Sequence, residues 1–272
     1  MNTLRAKQLR FYYGVLRGAL SRAALGGSAR KEKEVRMVYG GNYMRETNEA
    51  FMYKQALAYE RGKPVTRSVL EYKRALLQRF ADKLNASGSE SVLEFGSGRG
   101  FNLLALAVLC PRLKILQGID LTKEGVACAR QNFNEPPFAI LESLTGASRD
   151  AIKKRLAEVA LSAVEGSITA LPFDDGSFDA VFSNSVIEQI PRDYPSVFKE
   201  AHRVAKTIGI FSEPFAEAQG LNVFYRLYLK NIDYFCASYR VVEDAGWRIT
   251  HFEIPQLQKA VFNTGVLTVL HA

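Results

Sequence analysis

The chain has 272 residues, 47% of them hydrophobic and 24% charged, with a formal net charge of +8, and this length is enough for one large domain with a buried core. Its longest uninterrupted apolar run, Leu103 to Cys110, is far shorter than the roughly 20 residues that cross a bilayer, so we expect no transmembrane helix. Three scattered cysteines lack the spacing of a zinc site or a disulfide framework and fit a reducing compartment. We therefore expect a cytoplasmic protein without a metal site.

The positive charge is concentrated in the first third of the chain. Residues 1–83 carry 18 Lys and Arg against 7 Asp and Glu, whereas the remaining residues carry 18 against 21. Such a basic segment can contact nucleic acid or an anionic membrane surface, or it can be a solvated face.

Residues 1–30 contain no acidic residue and predict a basic amphipathic helix that ends near Gly26. Three interpretations stay open. The helix packs its apolar stripe on the main domain, it contacts a membrane surface or an acidic partner, or it is an Arg-rich presequence for an organelle. The second would make the protein peripheral to a membrane.

The next segment leads into a capped helix. Residues 36–63 are polar and aromatic, with a turn-like stretch at residues 39–43. Ser68 and Glu71 have capping-box spacing and predict a helix that stops near Gly88. We place a domain boundary there, so that residues 1–88 form a basic, mainly helical extension or cap and residues 89–272 form the main domain.

Strand and helix patterns alternate after residue 89, which is typical of a mostly parallel sheet with helices on both faces. The expected strands cover residues 91–95, 115–119, 161–165, 180–183, 208–213, 248–254 and 265–271. The expected helices begin near residues 102, 123, 194 and 240. Residues 136–160 are longer than one connection requires and predict an inserted helix.

Three glycines at alternate positions, Gly96, Gly98 and Gly100, follow the first of these strands. They let the backbone turn sharply and leave no side chain between main-chain amides and a ligand. Residue 101 is Phe, so the G-x-G-x-x-G spacing of a dinucleotide turn is absent. Glu94, placed before the first glycine, favours a ligand with a positive charge at that point.

A second acidic residue, Asp120, ends the next strand, about 20 residues downstream of the glycines. A carboxylate at this place can accept hydrogen bonds from both ribose hydroxyls. In register with Glu94, it indicates a nucleoside ligand.

A third stretch makes the pattern specific. Residues 171–179 read L-P-F-x-D-x-S-F-D and residues 186–190 read V-I-E-x-I. Together the three stretches resemble the class I S-adenosylmethionine-dependent methyltransferases, in particular the small-molecule branch that includes the ubiquinone and menaquinone biosynthesis methyltransferases. The resemblance covers residues 89–215 by motif and residues 246–272 in outline. It implies an α/β, Rossmann-like, seven-stranded and mostly parallel sheet with an antiparallel last strand.

The resemblance also implies a site for S-adenosylmethionine. The residues that would hold its methionine part are Glu94, Gly96, Ser97, Gly98 and Gly100. Asp120 would bind the ribose and Leu121 would pack on the adenine.

Two further pairs of residues would complete this site. Ser167 stands where the family usually has an Asp that reaches the adenine amino group, so this contact would be weaker or water-mediated, and Ile168 would offer its backbone N–H. Ser183 and Asn184 would line the methionine side next to the sulfonium.

Methyl transfer from a sulfonium needs mainly the alignment of the acceptor in a dry pocket. A base is required only where the acceptor loses a proton, and the candidates are Glu213, which follows the fifth strand, and Glu188. Gln189 stands where the family often has His, so one obvious base is missing. An aromatic stretch at residues 223–235, within a region spanning about residues 214–240, either packs against the domain or forms a lid over the acceptor.

We therefore expect a methyltransferase acting on a small or lipid-like acceptor through O, N or C. An RNA-modifying enzyme is one alternative, prompted by the basic front segment. Against it, the fourth strand ends in Ser-Asn-Ser rather than [DNS]-P-P-[YF], and no Pro-Cys nucleophile occurs there. A non-catalytic binding module that keeps the cofactor fold is the other alternative, favoured by Ser167 and Gln189.

Overall fold

The computed structural model describes residues 2–25, 36–37, 40–41, 43, 45–220, 223–259 and 262–271, with side chains of the first helix placed for residues 9–21. The α-helices of these parts are α1 (Asn2–Leu25), α2 (Asn48–Tyr53), α3 (Val69–Ser87), α4 (Phe101–Leu109), α5 (Lys123–Asn134), α6 (Phe138–Thr145), α7 (Arg149–Ala157), α8 (Tyr194–Val204) and α9 (Val223–Asn231). Three short 3₁₀ segments cover Ile187–Gln189, Ala216–Gln219 and Tyr239–Ala245. None of the helices in the described residues is both long enough and apolar enough to cross a membrane.

The strands form two sheets. They are β1 (Gln55–Glu60), β2 (Lys63–Ser68), β3 (Ser91–Phe95), β4 (Ile115–Asp120), β5 (Ala160–Glu165), β6 (Phe178–Asn184), β7 (Ala205–Glu213), β8 (Trp247–Glu253), β9 (Leu257–Lys259) and β10 (Gly265–His271). The larger sheet has the order β5-β4-β3-β6-β7-β10-β8, and the smaller one has the order β2-β1-β9.

The larger sheet confirms the predicted fold class. Strands β5, β4, β3, β6 and β7 pair in parallel, and β10, the last strand of the chain, runs antiparallel between β7 and β8. All seven predicted strands are present, with ends that differ by a few residues. Because the carboxyl ends of parallel strands meet at one edge of a sheet, the polar residues at or next to the ends of β3, β4, β6 and β7 lie along that edge.

Both faces of this sheet are buried, as the near-continuous apolar strands require. Alternate residues of β3 point to opposite faces: Val92 packs in one apolar cluster with α3, α4 and α6, and Leu93 packs in a second one with α8. The predicted insertion at residues 136–160 contains two helices, α6 and α7, rather than one. Both contribute buried side chains to the first cluster.

The predicted capped helix is confirmed as α3. The Glu71 amide donates to Ser68 Oγ (3.2 Å) and the Ser68 amide donates to Glu71 Oε2 (2.7 Å), which is the reciprocal pattern of a capping box. The helix ends at Gly88, which has φ of 69°. It buries Leu77 and Phe80 in the same cluster as the large sheet. The domain boundary near residue 88 stays a prediction.

The N-terminal extension contains a β-hairpin that the sequence analysis did not expect. Strands β1 and β2 pair across Arg61 and Gly62, and both turn residues have positive φ (49° and 75°). Such a turn matches the twist of a hairpin. The short strand β9 pairs with β1 and ties the extension to the C-terminal part of the chain. The description "mainly helical" is therefore wrong for residues 55–68.

The predicted N-terminal helix forms as α1 and packs on α9. Tyr12 stacks on Phe224 with ring centroids 4.4 Å apart, and Phe11 lies 5.4 Å from Tyr228. The Asn231 side-chain amide donates to the Val15 carbonyl (2.7 Å). Packing on the main domain is thus confirmed for one face of the helix, and its predicted end near Gly26 lies outside the described residues.

Asp179, near the start of β6, holds the start of β3 through hydrogen bonds that contribute to the stability of the fold. Its Oδ2 accepts from the amides of Glu90 (2.9 Å) and Ser91 (3.0 Å). Although partial burial alone would raise the pKa of Asp179, these hydrogen bonds lower it below its ordinary value. We predict that Asp179→Ala lowers the free energy of unfolding by about 1–3 kcal/mol at neutral pH, measured by urea denaturation.

The sign of the pH dependence follows from the lowered pKa. The stabilisation by Asp179 is present above the unfolded-state pKa of about 3.9 and is lost as the pH falls through the folded-state value. The difference between wild type and Asp179→Ala should therefore shrink in acid. Asp175, whose side chain is 82% exposed in its ion pair with Arg203, supplies the control, and Asp175→Ala should change stability by less than about 0.5 kcal/mol. Equal effects of the two variants would contradict the assignment.

Candidate functional site

The glycine turn after β3 has a backbone that only glycine adopts readily. Gly96, Gly98 and Gly100 have φ of 65°, 50° and 74°, in the left-handed region. A Cβ at Gly98 would lie 2.8 Å from Tyr43 Oη, and one at Gly96 would lie 2.5 Å from a methyl of Val186. The turn therefore has no room for side chains at Gly96 and Gly98, because Val186 and Tyr43 already pack against it.

The amides of this turn are not free for a ligand, contrary to expectation. The Gly96 and Ser97 amides donate to the Ile119 carbonyl (2.8 and 3.1 Å), and the Gly98 amide donates to Asp120 Oδ2 (2.9 Å). The Gly100 amide donates to the Ser97 carbonyl (2.8 Å). The turn thus offers a ligand space and shape rather than these donors.

A cavity of about 470 Å³ opens beside the turn. Of the predicted residues, Gly96, Ser97, Gly98 and Asn184 line it. It lies between the ends of β3 and β6, where the strand order of the sheet reverses, and open α/β sheets bind ligands at this point. The unpredicted lining residues are Tyr43, Arg45, Glu46, Phe51, Lys54, Lys73, Arg99, Phe101 and Asn102.

A chain of polar side chains connects this cavity to Glu94. Lys73 Nζ donates to Asn102 Oδ1 (2.8 Å), and Asn102 Nδ2 donates to Glu94 Oε1 (2.5 Å). Glu94 is 1% exposed, and no described residue bonds its Oε2. Burial raises the pKa of Glu94 and lowers the pKa of Lys73, while the attraction between the two opposes both shifts.

These groups fit an amino-acid zwitterion. A buried carboxylate oxygen without a described partner suits an ammonium group, because burying a charge is costly unless it is paired. Lys73, in the cavity wall, suits a carboxylate. The methionine part of the predicted cofactor has both groups, so the residues present fit it. Sequence reasoning missed Lys73 because it lies in α3, which carries no family motif.

Asp120, the predicted ribose-binding residue, supports the glycine turn. Its Oδ1 accepts from the Thr122 amide (2.9 Å) and hydroxyl (2.7 Å), and its Oδ2 accepts from the Gly98 amide. A carboxylate oxygen can accept more than one hydrogen bond, so the ribose contact stays a prediction.

The predicted adenine residues lie at the ends of β4 and β5. The Leu121 carbonyl accepts from Arg36, which also pairs with Glu165 (2.9 Å). Ser167 Oγ bonds Thr169 Oγ1 (2.8 Å), and Ile168 is buried. Their roles toward adenine stay predictions.

Arg99 anchors the N-terminal segment over the cavity. Its guanidinium donates to the Tyr43 carbonyl (3.2 Å), the Glu46 carbonyl (2.8 Å) and Asn48 Oδ1 (3.0 Å). It also lies 5.3 Å from the ring centre of Phe51. Sequence reasoning missed this role, although an Arg between two glycines was a visible signal.

Glu213 lies at the end of β7 and holds the loop after β6. Its Oε1 accepts from Ser183 Oγ (2.7 Å) and the Val186 amide (3.1 Å), and its Oε2 accepts from the Glu188 amide (3.3 Å). Burial and the neighbouring charge of Glu188 raise the pKa of Glu213 to about 8. The geometry is that of a carboxyl group that positions a loop.

The charged side chains of Glu188 and Lys259 lie beside the loop after β6. Glu188 is 5% exposed and accepts from Gln189 Nε2 (3.1 Å). Lys259 Nζ donates to Ser185 Oγ (2.7 Å) and lies over the rings of Tyr72 and Phe262. Although burial alone would lower the pKa of Lys259, Glu188 and other neighbours raise it. Sequence reasoning missed Lys259 because β9 was not predicted.

Comparison with known proteins identifies the domain. Residues 93–212 match a family model described as a methyltransferase domain. An arsenite methyltransferase from Aquipseudomonas alcaligenes is 33% identical over 131 residues, which are 46% of this chain and 33% of that protein. A ubiquinone/menaquinone biosynthesis C-methyltransferase from Geotalea uraniireducens is 29% identical over 133 residues, which are 48% of each chain. The chain thus spans between a third and a half of these relatives.

A solved structure shows the same fold over most of the chain. The magnesium protoporphyrin IX methyltransferase from Synechocystis PCC 6803, determined with bound S-adenosylhomocysteine, superposes with a TM-score of 0.56 at 14% identity, over 89% of this chain and 99% of that one. The family match and the fold confirm the predicted resemblance, which implies S-adenosylmethionine as the cofactor.

Gly98 gives a direct test of the cavity. Gly98→Ala should weaken S-adenosylhomocysteine binding about tenfold or more in calorimetry, because the added Cβ meets Tyr43 and strains the turn. Gly146→Ala is the matched control, since Gly146 has φ of 73° and nothing within 4 Å of an added Cβ. Both variants carry the left-handed strain, and only Gly98→Ala should lose affinity. Wild-type affinity in Gly98→Ala would show that the ligand lies elsewhere.

Lys73 gives a test of the zwitterion assignment. Lys73→Met should lower the affinity for S-adenosylmethionine and S-adenosylhomocysteine about tenfold or more, because hydrogen bonds to charged groups contribute roughly 1.5–3 kcal/mol. Binding of methylthioadenosine, which lacks the amino-acid group, should not change. Lys199→Met, at an exposed position on α8, is the control. An equal loss for all three ligands would refute the assignment.

Proposed function

We propose that this chain, in which residues 93–212 form a methyltransferase domain of the class I S-adenosylmethionine-dependent type, transfers a methyl group to a small or lipid-like acceptor. The observation that carries the proposal is the cavity beside the glycine turn, which Asn184 lines at the end of β6. The buried carboxyl group of Glu188 follows four residues later. We place the methyl donor in the cavity and the acceptor beside Glu188.

The methionine end of the cofactor would lie between the glycine turn and α3. Glu94 would bind its ammonium group and Lys73 its carboxylate. Asp120 would accept from the ribose, while Leu121, Ser167 and Ile168 would border the adenine. Ser183 and Asn184 would place the methionine side chain, and Ser97 would add its buried hydroxyl, for which no described residue is a partner.

S-adenosylmethionine supplies a methyl group already activated on a sulfonium. The remaining tasks for this chain are to orient the acceptor and to exclude water, and orientation alone can supply roughly 7–11 kcal/mol. The residues around the proposed acceptor site are suited to this, because Glu188 and Glu213 are buried and Tyr228 and Tyr234 lie close to Glu188 and Lys259.

Glu188 is the better placed of the two predicted bases. Glu213 already accepts three hydrogen bonds, one from Ser183 in β6 and two from amides of the following loop, so we assign it a positioning role. Glu188 would take the proton that an O–H or N–H acceptor loses as its bond to the methyl carbon forms. Lys259 would hold negative charge on that acceptor.

The alternatives differ in what they need from the chain. An RNA-modifying enzyme would use the basic front segment, and a non-catalytic module would bind the cofactor without transferring its methyl group. The fold alone does not decide between them, because one fold hosts many functions.

The deciding experiment follows the methyl group of radiolabelled S-adenosylmethionine. Purified protein is incubated with a lipid extract, a pool of small metabolites and total RNA in separate reactions. We expect label in the lipid or small-molecule fraction, none in RNA, and none with Asp120→Ala. Label only in RNA would support the second function. Tight cofactor binding without any transfer would support the binding module.

Replacing the carboxyl group by an amide should have different effects at Glu188 and at Glu213. We predict that Glu188→Gln lowers kcat about tenfold or more while cofactor affinity and unfolding temperature stay at wild-type values, because a general base typically contributes 10²–10⁴-fold. Glu213→Gln should lower the unfolding temperature, since an amide nitrogen would face a loop amide. A catalytic loss in Glu213→Gln alone would reverse the assignment.

A further inference from the structure

One apolar stripe of α1 faces solvent. Leu9, Tyr13, Leu16 and Leu20 are 68%, 69%, 48% and 73% exposed. Their spacing of four, three and four residues puts them on one face of a helix. We call these four residues the α1 stripe. Single exposed apolar residues are common on proteins, but an aligned set of four marks an interaction surface.

The α1 stripe is distinct from the face that packs on the domain. Phe11, Tyr12 and Val15 make the contacts with α9, and Val15 is only 3% exposed. At 100° per residue, Phe11 and Val15 lie on the opposite half of the helix from the stripe, and Tyr12 lies about 70° from the centre of the stripe, between the two faces. One face of the helix therefore packs on the domain, and the stripe on the other face is exposed to solvent.

The charge around the stripe selects its occupant. Arg10 and Arg17 are exposed beside it, and residues 1–30 contain no acidic residue. Leucines and an aromatic ring on one face, with arginines next to them and no carboxylate to repel a lipid phosphate, are the features of a helix that lies in a membrane interface.

We propose that the α1 stripe docks this protein on an anionic lipid surface. The leucines enter the boundary between headgroups and acyl chains, Tyr13 lies at headgroup level, and Arg10 and Arg17 contact lipid phosphates. The proposal names the surface on which the protein works, and it holds whether or not the transferase assignment does.

The test is co-sedimentation of the full chain with vesicles. The probes are phosphatidylcholine vesicles with and without phosphatidylglycerol. We expect the wild type to bind the anionic vesicles and to bind the neutral vesicles at least about tenfold more weakly. Added salt should release it from the anionic vesicles. Leu16→Asp/Leu20→Asp should lower binding to the anionic vesicles at least about tenfold.

A charge-matched variant separates the stripe from simple electrostatics. Gly14→Asp/Ser21→Asp adds the same two charges to the same helix at exposed positions outside the stripe, and it should bind clearly better than the stripe variant. Cofactor affinity, measured on all three proteins, shows that they are folded. Equal binding of the two variants, or no binding of the wild type to anionic vesicles, overturns the proposal.

Other occupants of the stripe give different results. If a second copy covers it, the wild type is a dimer by light scattering and the stripe variant is a monomer, without any vesicle binding. If RNA is the partner, the chain binds RNA and not vesicles, and the leucine substitutions matter no more than the control pair. Either outcome overturns the lipid proposal.

Discussion

Buried carboxylates at one edge of the sheet are the constraint on which the rest of the site depends. Asp120 and Glu213 each end a parallel strand, Glu94 is the last residue but one of β3, and the three are 6%, 0% and 1% exposed. A carboxylate so buried is costly unless donors surround it. Asp120 obtains them from the glycine turn and the start of α5, and Glu213 from the loop after β6. The need to satisfy these acids therefore fixes the loops that border the cavity.

Glu94 differs from Asp120 and Glu213 because described residues donate hydrogen bonds to only one of its two carboxylate oxygens. Asn102 donates to one of its carboxylate oxygens. Lys73 donates to the side-chain oxygen of Asn102 rather than to Glu94 itself. The buried Oε2 of Glu94, to which no described residue donates, thus leaves a place for a cation. This is a physical reason why an acid precedes the glycines, beyond its presence in a family motif.

Sequence reasoning was reliable where the signal is local. The strands show as short apolar runs, the cap of α3 as Ser68 and Glu71, and the turn as three glycines. It failed where a residue acts through a partner far along the chain: Lys73 and Asn102 are 29 residues apart, Arg99 and Asn48 are 51 apart, and Lys259 and Ser185 are 74 apart. No periodicity or spacing encodes such pairs. The expectation of free amides in the turn was wrong for the same reason at Gly96, Ser97 and Gly98, because their acceptors belong to β4.

The extension at residues 1–88 is best understood through α9. Tyr228 of this helix packs on Phe11 of α1 with ring centroids 5.4 Å apart, and Phe224 stacks on Tyr12 at 4.4 Å. A movement of α1 must therefore change the packing of α9. If α9 is the predicted lid, a lipid surface that holds the outer face of α1 also acts on the cover of the proposed acceptor site. The proposed lipid contact and the proposed acceptor site are then connected through this aromatic interface.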